Sequence, residues 1–342
     1  MLNKMENDMK TIIFYDIKQY EREFFEQELY DKFNVEYEER ELTSETELNY
    51  IEENAEIISV FTSSRLTKEV LEKFKNLKLI LTRSVGFSHI DVEYCNEKNI
   101  LVANTPHYGD YTVAEFSFGI LLNLIRRICY GQSELRSGDM YPETFGMELY
   151  DKTIGIIGTG SIGSKAIKIA KGFSMNVICY DVNKNSELEK EFNVKYSDIE
   201  TLCKLSDIIT LHAPLNTASY HIINKEKISL MKEDVIIVNT ARGELIDTEA
   251  LYEALLDKKI KGAALDVLEF EEIISNKRPG DNINLRNLRV SLINNKLLNL
   301  DNVIATPHIA YDTKEAVNRI LTTTLENLYQ FINNKILTNI VK

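Results

Sequence analysis

Apolar and polar residues alternate along this chain in blocks. Short apolar runs of β type, TIIFYDI (11–17), VEYEE (35–39), EIISVFT (56–62), LKLILTRS (77–84) and ILVAN (100–104), are separated by charged stretches with helical spacing. QYEREFFEQELYDKF (19–33) is the clearest of these, and ETELNYIEEN, TKEVLEKFKN and DVEYCNEK follow the same pattern. Strands separated by helices predict βαβ units and a parallel sheet, because parallel neighbours need a long crossover.

A second series begins at TIGIIG (153–158) and continues through NVICYD (176–181), DIITLHA (207–213), DVIIVNT (234–240), KGAALDV (261–267) and NVIATPH (302–308). Between the two series, TVAEFSFGILLNLIRRICYGQSELRSG (112–138) is apolar and free of proline, which predicts one long helix bridging two domains or packing on another subunit. EEIISNKRPGDNINLRNLRVSLINNK (271–296) fits neither series and reads as an irregular insert.

At 342 residues and 44% hydrophobic content the chain is expected to form two domains with sizeable cores. No apolar run approaches the ~20 residues of a membrane span. The opening MLNKMENDMK carries acids and has the pattern of neither a secretory signal nor a transit peptide. A net charge of −13 without a basic patch argues against nucleic acid. Cys95, Cys129, Cys179 and Cys203 show no metal-ligand or disulfide spacing, so they are expected to be reduced, buried thiols in a cytoplasmic protein with no metal.

The most informative chemistry lies in TIGIIGTGSIGSKAIKIAKGF. A β run leads into Gly158, Thr159, Gly160, Ser161, Ile162 and Gly163, and then into a helix. In that context Gly158 permits the tight turn and Gly160 lets backbone approach a pyrophosphate. Gly163 lets helix and strand pack closely, with the phosphates at the helix N-terminus. Asp181 ends the next strand, where an acid binds the adenosine ribose hydroxyls and repels a 2′-phosphate, so NAD is favoured over NADP. Nicotinamide chemistry on a carbonyl needs a proton donor, and a substrate carboxylate needs a fixed cation. Three strand-end stretches supply such groups: VNTARGELID with Arg242, ALDVLEFEE with its glutamates, and TPHIA with His308 beside the rigid Pro307.

Taken in order, FYDIKQYEREFF, LTRSVGFSHID, NTPHYGDYTVAEF, TIGIIGTGSIG, LHAPLNTASYHIIN, VNTARGELIDTEAL, GAALDVLE and NVIATPHIAYDT cover nearly the whole chain. The set resembles the D-isomer-specific 2-hydroxyacid dehydrogenase family, most of all its D-lactate-forming members. The resemblance implies an α/β fold of two doubly wound parallel-sheet domains. A Rossmann NAD domain (104–309) would be inserted in a discontinuous, flavodoxin-like substrate domain (1–103 and 310–342), with His308 in the cleft between them. It implies NAD as cofactor, a small 2-oxo or 2-hydroxy acid as substrate, and a homodimer through the helix starting near Val113.

By the same resemblance, Arg242 grips the substrate carboxylate, His308 exchanges a proton with the C2 oxygen, and Glu271 pairs with that histidine, with Glu269 as the fallback. Val85 and Gly86 offer backbone N–H groups to the substrate carboxylate. Tyr108 matches a tyrosine that stands by the substrate; Phe61 and Tyr311, aromatics at strand ends, read either as walls of the substrate pocket or as core. His212, Ala213, Pro214, Thr240 and Ala241 flank the cofactor, and Asp266 lies near its carboxamide. His89 and His221 read as structural, and His107 as a surface residue. Other 2-oxo acids (2-hydroxyisocaproate and glycerate types) or phosphite remain as substrates. An NAD-sensing, corepressor-like binding module without turnover remains as a different class.

Overall fold

The computed structural model describes residues 10–271 and 285–341. The chain divides into two compact units, residues 1–108 with 313–342, and residues 109–312.

The first unit carries a five-stranded sheet of β1 (Thr11–Tyr15), β2 (Asn34–Glu38), β3 (Ile57–Val60), β4 (Leu79–Thr82) and β5 (Leu101–Ala103), ordered β2-β1-β3-β4-β5. All its strand pairings are parallel. Consecutive residues of a strand face opposite sides, so the apolar runs feed two cores. Ile13, Tyr15, Ile58, Val60, Ile80 and Val102 pack on one face, and Ile12, Phe14, Ile57, Leu79, Leu81 and Ala103 on the other. The helix Lys314–Ile332 covers the second face through Val317, Leu321 and Leu328.

The second unit holds seven parallel strands, β6 (Thr153–Ile157), β7 (Asn176–Tyr180), β8 (Lys195–Tyr196), β9 (Ile208–Leu211), β10 (Ile236–Asn239), β11 (Gly262–Leu265) and β12 (Val303–Ala305). Their order is β12-β11-β10-β9-β6-β7-β8. The order reverses between β6 and β9, and a doubly wound sheet binds ligands at the carboxyl ends beside such a reversal. These strands also feed two cores, with Ile209, Leu211, Ile237 and Leu265 in one and Ile154, Ile156, Ile208 and Val238 in the other.

Three expectations are corrected. The long helix is broken: Asp110–Arg126 ends at Arg127, whose φ of 51° is left-handed, and Ile128–Ser137 starts anew. Asn123 Oδ1 accepts the Cys129 N–H at 2.9 Å, and the Ile125 carbonyl accepts the Met147 N–H at 3.0 Å. Those competing partners are invisible to periodicity, which saw neither glycine nor proline at the break. Cys129 is exposed, whereas Cys95, Cys179 and Cys203 are buried. The insert is partly regular, with a helix at Leu285–Leu297, while its residues 272–284 lie outside the described residues.

Among the described residues no helix is long and apolar enough to cross a membrane, and no cluster of His, Cys, Asp and Glu has a metal-binding arrangement.

Candidate active site

The predicted residues of the second unit line the carboxyl edge of its sheet. Asp181 follows β7, the glycine loop follows β6, and His212-Ala213-Pro214 follows β9. Thr240-Ala241-Arg242 follows β10, Asp266 follows β11, and His308 stands three residues beyond β12.

The glycine loop has the shape its sequence implies. Gly158 has a φ of 89°, and a Cβ there would lie 2.5 Å from the Ala213 nitrogen, so the β6 and β9 ends touch through backbone alone. A Cβ on Gly163 would lie 2.0 Å from the Gly158 oxygen, whereas one on Gly160 would meet nothing within 4 Å. Gly160 is thus the point where the loop is open, immediately before the helix Ser161–Gly172. Ser161 is exposed and Ile162 half-buried on its first turn. Two buried polar atoms on the same edge, His212 Nδ1 and Thr240 Oγ1, have no partner in the protein. An open glycine cradle, a helix start and orphaned polar groups fit a dinucleotide. His212 is buried enough to depress its pKa to about 4, so its imidazole is neutral, with Nε2 3.0 Å from the Thr210 hydroxyl.

Farther along the edge, the 266–271 turn and the 306–310 loop hold the candidate acid–base groups. The Asp266 carboxylate accepts from the Thr306 hydroxyl at 2.6 Å and from the Ile309 and Ala310 N–H groups at 3.0 and 2.9 Å. Its carbonyl accepts the His308 N–H at 2.9 Å. These bonds hold His308 at a φ of 54°, a left-handed conformation that histidine tolerates better than β-branched residues do. Burial raises the Asp266 pKa, and its hydrogen bonds offset part of that rise.

His308 Nδ1 lies 2.6 Å from Glu271 Oε1. Burial lowers the histidine pKa, but the hydrogen bond to Glu271 and that residue's charge outweigh it. Arg242 also pulls it down and Asp266 pushes it up; the net shift is upward.

Arg242 is exposed, and its guanidinium donates to the Ala241 carbonyl at 2.6 Å. The buried Asn239 side chain accepts the Ala241 N–H at 3.0 Å and donates to the Arg242 carbonyl at 2.8 Å. A Cβ on Gly243 would stand 2.2 Å from the Glu269 nitrogen, so the arginine loop rests against the turn that carries Glu271. Asn239 and Gly243 were not singled out in the sequence, although the N-T-A-R-G run contains both. An asparagine ending an apolar strand and a glycine following a candidate arginine were the available signals.

Glu269 serves another imidazole. It is buried, and its Oε1 lies 3.1 Å from His221 Nε2 and 3.6 Å from the Arg286 guanidinium. Phe270, with a φ of 56°, turns the chain between the two glutamates.

Val85, Gly86, Tyr108, His89, Phe61 and His107 belong to the first unit. Three consecutive carbonyls are tied there. Ser84 O accepts the Thr105 N–H at 3.0 Å, Val85 O the Asn104 amide at 2.9 Å, and Gly86 O the Ser84 hydroxyl at 2.6 Å. In a trans peptide the N–H points opposite to the preceding C=O, so the Val85 and Gly86 N–H groups point away from those partners. His89 is buried, with Nε2 3.1 Å from Thr82 Oγ1, and His107 is exposed. The Tyr108 carbonyl accepts from Arg319 at 2.8 Å. Phe61, and Tyr311 of the second unit, are half-buried.

A pyrophosphate cradle and an imidazole–carboxylate pair on one sheet edge define a dinucleotide-dependent oxidoreductase. A family model for the D-isomer specific 2-hydroxyacid dehydrogenase NAD binding domain matches residues 118–310. A hydroxypyruvate reductase of Thermotoga maritima is 41% identical over 298 residues, 86% of this chain and 91% of that one. A D-3-phosphoglycerate dehydrogenase of Methanocaldococcus jannaschii is 41% identical over 302 residues. That match covers 88% of this chain, which spans only 54% of that longer relative. The crystal structure of a D-lactate dehydrogenase from Aquifex aeolicus, complexed with NAD and lactic acid, superposes with a TM-score of 0.86 at 38% identity, covering 96% of this chain and 98% of that one. The chain belongs to the D-isomer-specific 2-hydroxyacid dehydrogenase family of NAD-dependent oxidoreductases.

Proposed function

We propose that the protein reduces a small 2-oxo acid, pyruvate in the first place, to the D-2-hydroxy acid. The observation that carries this reading is the 2.6 Å contact between His308 and Glu271, within the electrostatic reach of Arg242. NADH, when bound, supplies the hydride. An ionised carboxylate only accepts, so His308 Nδ1–H donates to Glu271 and the other ring nitrogen carries the proton for the C2 oxygen. The raised pKa favours the protonated ring. Arg242 binds the substrate carboxylate and offsets charge developing on the oxygen. By the family resemblance, the Val85 and Gly86 N–H groups are proposed as further carboxylate donors. His212, Ala213, Pro214, Thr240 and Ala241 suit the dinucleotide, with Asp181 on its adenosine ribose.

Pyruvate is preferred on the likeness to D-lactate dehydrogenases. The likeness to a hydroxypyruvate reductase keeps hydroxypyruvate as the second substrate to try. The test is NADH oxidation with pyruvate, hydroxypyruvate, glyoxylate and a branched 2-oxo acid, followed by chiral analysis of the product. Rates highest with pyruvate and a D-lactate product support the reading. Turnover of another acid corrects the substrate, and no turnover on any of them favours a binding role.

We also propose a cytoplasmic homodimer through the segment that follows Val113. The helix Ile128–Ser137 buries none of its residues, and Ile128, Leu135, Met140, Tyr141 and Phe145 are exposed along and after it. Sedimentation at micromolar concentration should give about 79 kDa, twice the 39.4 kDa chain; a monomer at that concentration removes this part.

A further inference from the structure

Asp181 is held by a chain of hydrogen bonds that reaches back into the glycine loop. Its Oδ2 accepts the Thr159 N–H at 2.6 Å and the Thr159 hydroxyl at 3.1 Å, and its Oδ1 accepts the Asn183 N–H at 2.8 Å. The Thr159 hydroxyl also lies 2.8 Å from the Tyr196 hydroxyl, which accepts the Asn185 N–H at 3.2 Å. The proton order is forced. A carboxylate can only accept, so Thr159 gives it its single hydroxyl proton; the proton between the two hydroxyls then belongs to Tyr196. The chain runs one way, from Asn185 through Tyr196 and Thr159 to Asp181.

These bonds leave Asp181 little freedom. With Oδ2 taken twice by the buried Thr159, the remaining capacity at Oδ1 is what a ribose hydroxyl can use. Swinging the carboxylate aside for a 2′-phosphate would break both Thr159 bonds. Tyr196 sits on the edge strand β8, its register fixed by the pairing of Cys179 with Tyr196. The tyrosine is tied to the loop through the Thr159 hydroxyl. We infer that Tyr196, acting through Thr159, is a positioning residue for cofactor choice, fixing Asp181 in the orientation that accepts NADH and rejects NADPH.

The test is calorimetric binding of NADH and of NADPH to the full chain, which needs no substrate and so stands apart from the proposed reaction. Wild type is compared with Tyr196→Phe, Thr159→Val and the double variant. Tyr196→Phe should weaken NADH about tenfold while NADPH binds no worse or more tightly, as expected when a lost hydrogen bond in a charge-assisted chain frees Asp181. Thr159→Val should do the same, and the double variant should bind no worse than Thr159→Val alone, because both remove one chain. Equal weakening of both cofactors would mark Tyr196 as merely structural. Unchanged NADH binding in Tyr196→Phe, or full additivity in the double variant, would equally overturn the inference.

Discussion

Glu269 and Glu271 are two residues apart and face different histidines, the first 3.1 Å from His221 and the second 2.6 Å from His308. The left-handed Phe270 between them is what separates their directions. Only one of the two can therefore tune the proposed proton donor, and substitution distinguishes them.

Glu271→Gln keeps the shape but removes the charge that raises the His308 pKa. In the proposed reaction His308 must be protonated for reduction, so the rate should fall as pH rises through that pKa. With the pKa lowered, the alkaline fall of kcat/KM should move to lower pH, and kcat at neutral pH should drop about 100-fold. Glu269→Gln should leave the position of that fall unchanged. A pH–rate profile of the two variants checks both statements.

Gly160 and Gly163 separate binding from folding. Gly160→Ala places a methyl in open space, so its melting temperature should match wild type while NADH binding weakens by about tenfold or more. Gly163→Ala forces a methyl to 2.0 Å from the Gly158 oxygen, and something must move. That variant should lose stability as well as binding. Thermal melts beside NADH fluorescence titration give the comparison.

Arg242→Lys retains a charge but loses the planar fork. The KM for the 2-oxo acid should rise on the order of 10-fold to 100-fold, with NADH affinity unchanged. A variant whose substrate KM is unaltered would take Arg242 out of carboxylate recognition.

His212 predicts an acid dependence of stability. Its folded pKa, about 4, lies below the ordinary 6.5 of the unfolded chain, because burial disfavours the charged ring. Protonation then favours unfolding. The contribution is fully present above the unfolded pKa and is lost as pH falls from about 6.5 toward about 4. The loss is on the order of 3 kcal/mol. Urea unfolding of wild type and His212→Gln at pH 7 and pH 4.5 isolates it, since other groups titrate alike in both. The variant should lose less stability between those two pH values.

Much was readable from the chain because the signals were local. Alternation of apolar runs with amphipathic stretches requires βαβ units, and the strand–glycine–helix sequence with Asp181 at the next strand end identifies a dinucleotide turn without tertiary knowledge. The roles proposed for Arg242, Glu271 and His308 came from a resemblance that covers nearly the whole chain. Periodicity alone could not have paired residues 37 positions apart.

Other features depended on contacts that sequence spacing does not encode. The break at Arg127 arises because a side-chain amide and a returning strand of chain compete for helix ends. The choice between Glu269 and Glu271 is a matter of backbone handedness at one phenylalanine, and that handedness is settled by what surrounds it. Tyr196 belongs to a two-residue edge strand too short to carry a pattern, yet it completes the hydrogen-bond chain to Asp181. The sequence determined which elements form and which chemical groups stand at strand ends, since both follow from neighbours along the chain. Only the tertiary structure decided which of those groups meet, because a hydrogen bond is fixed by distance and direction in space.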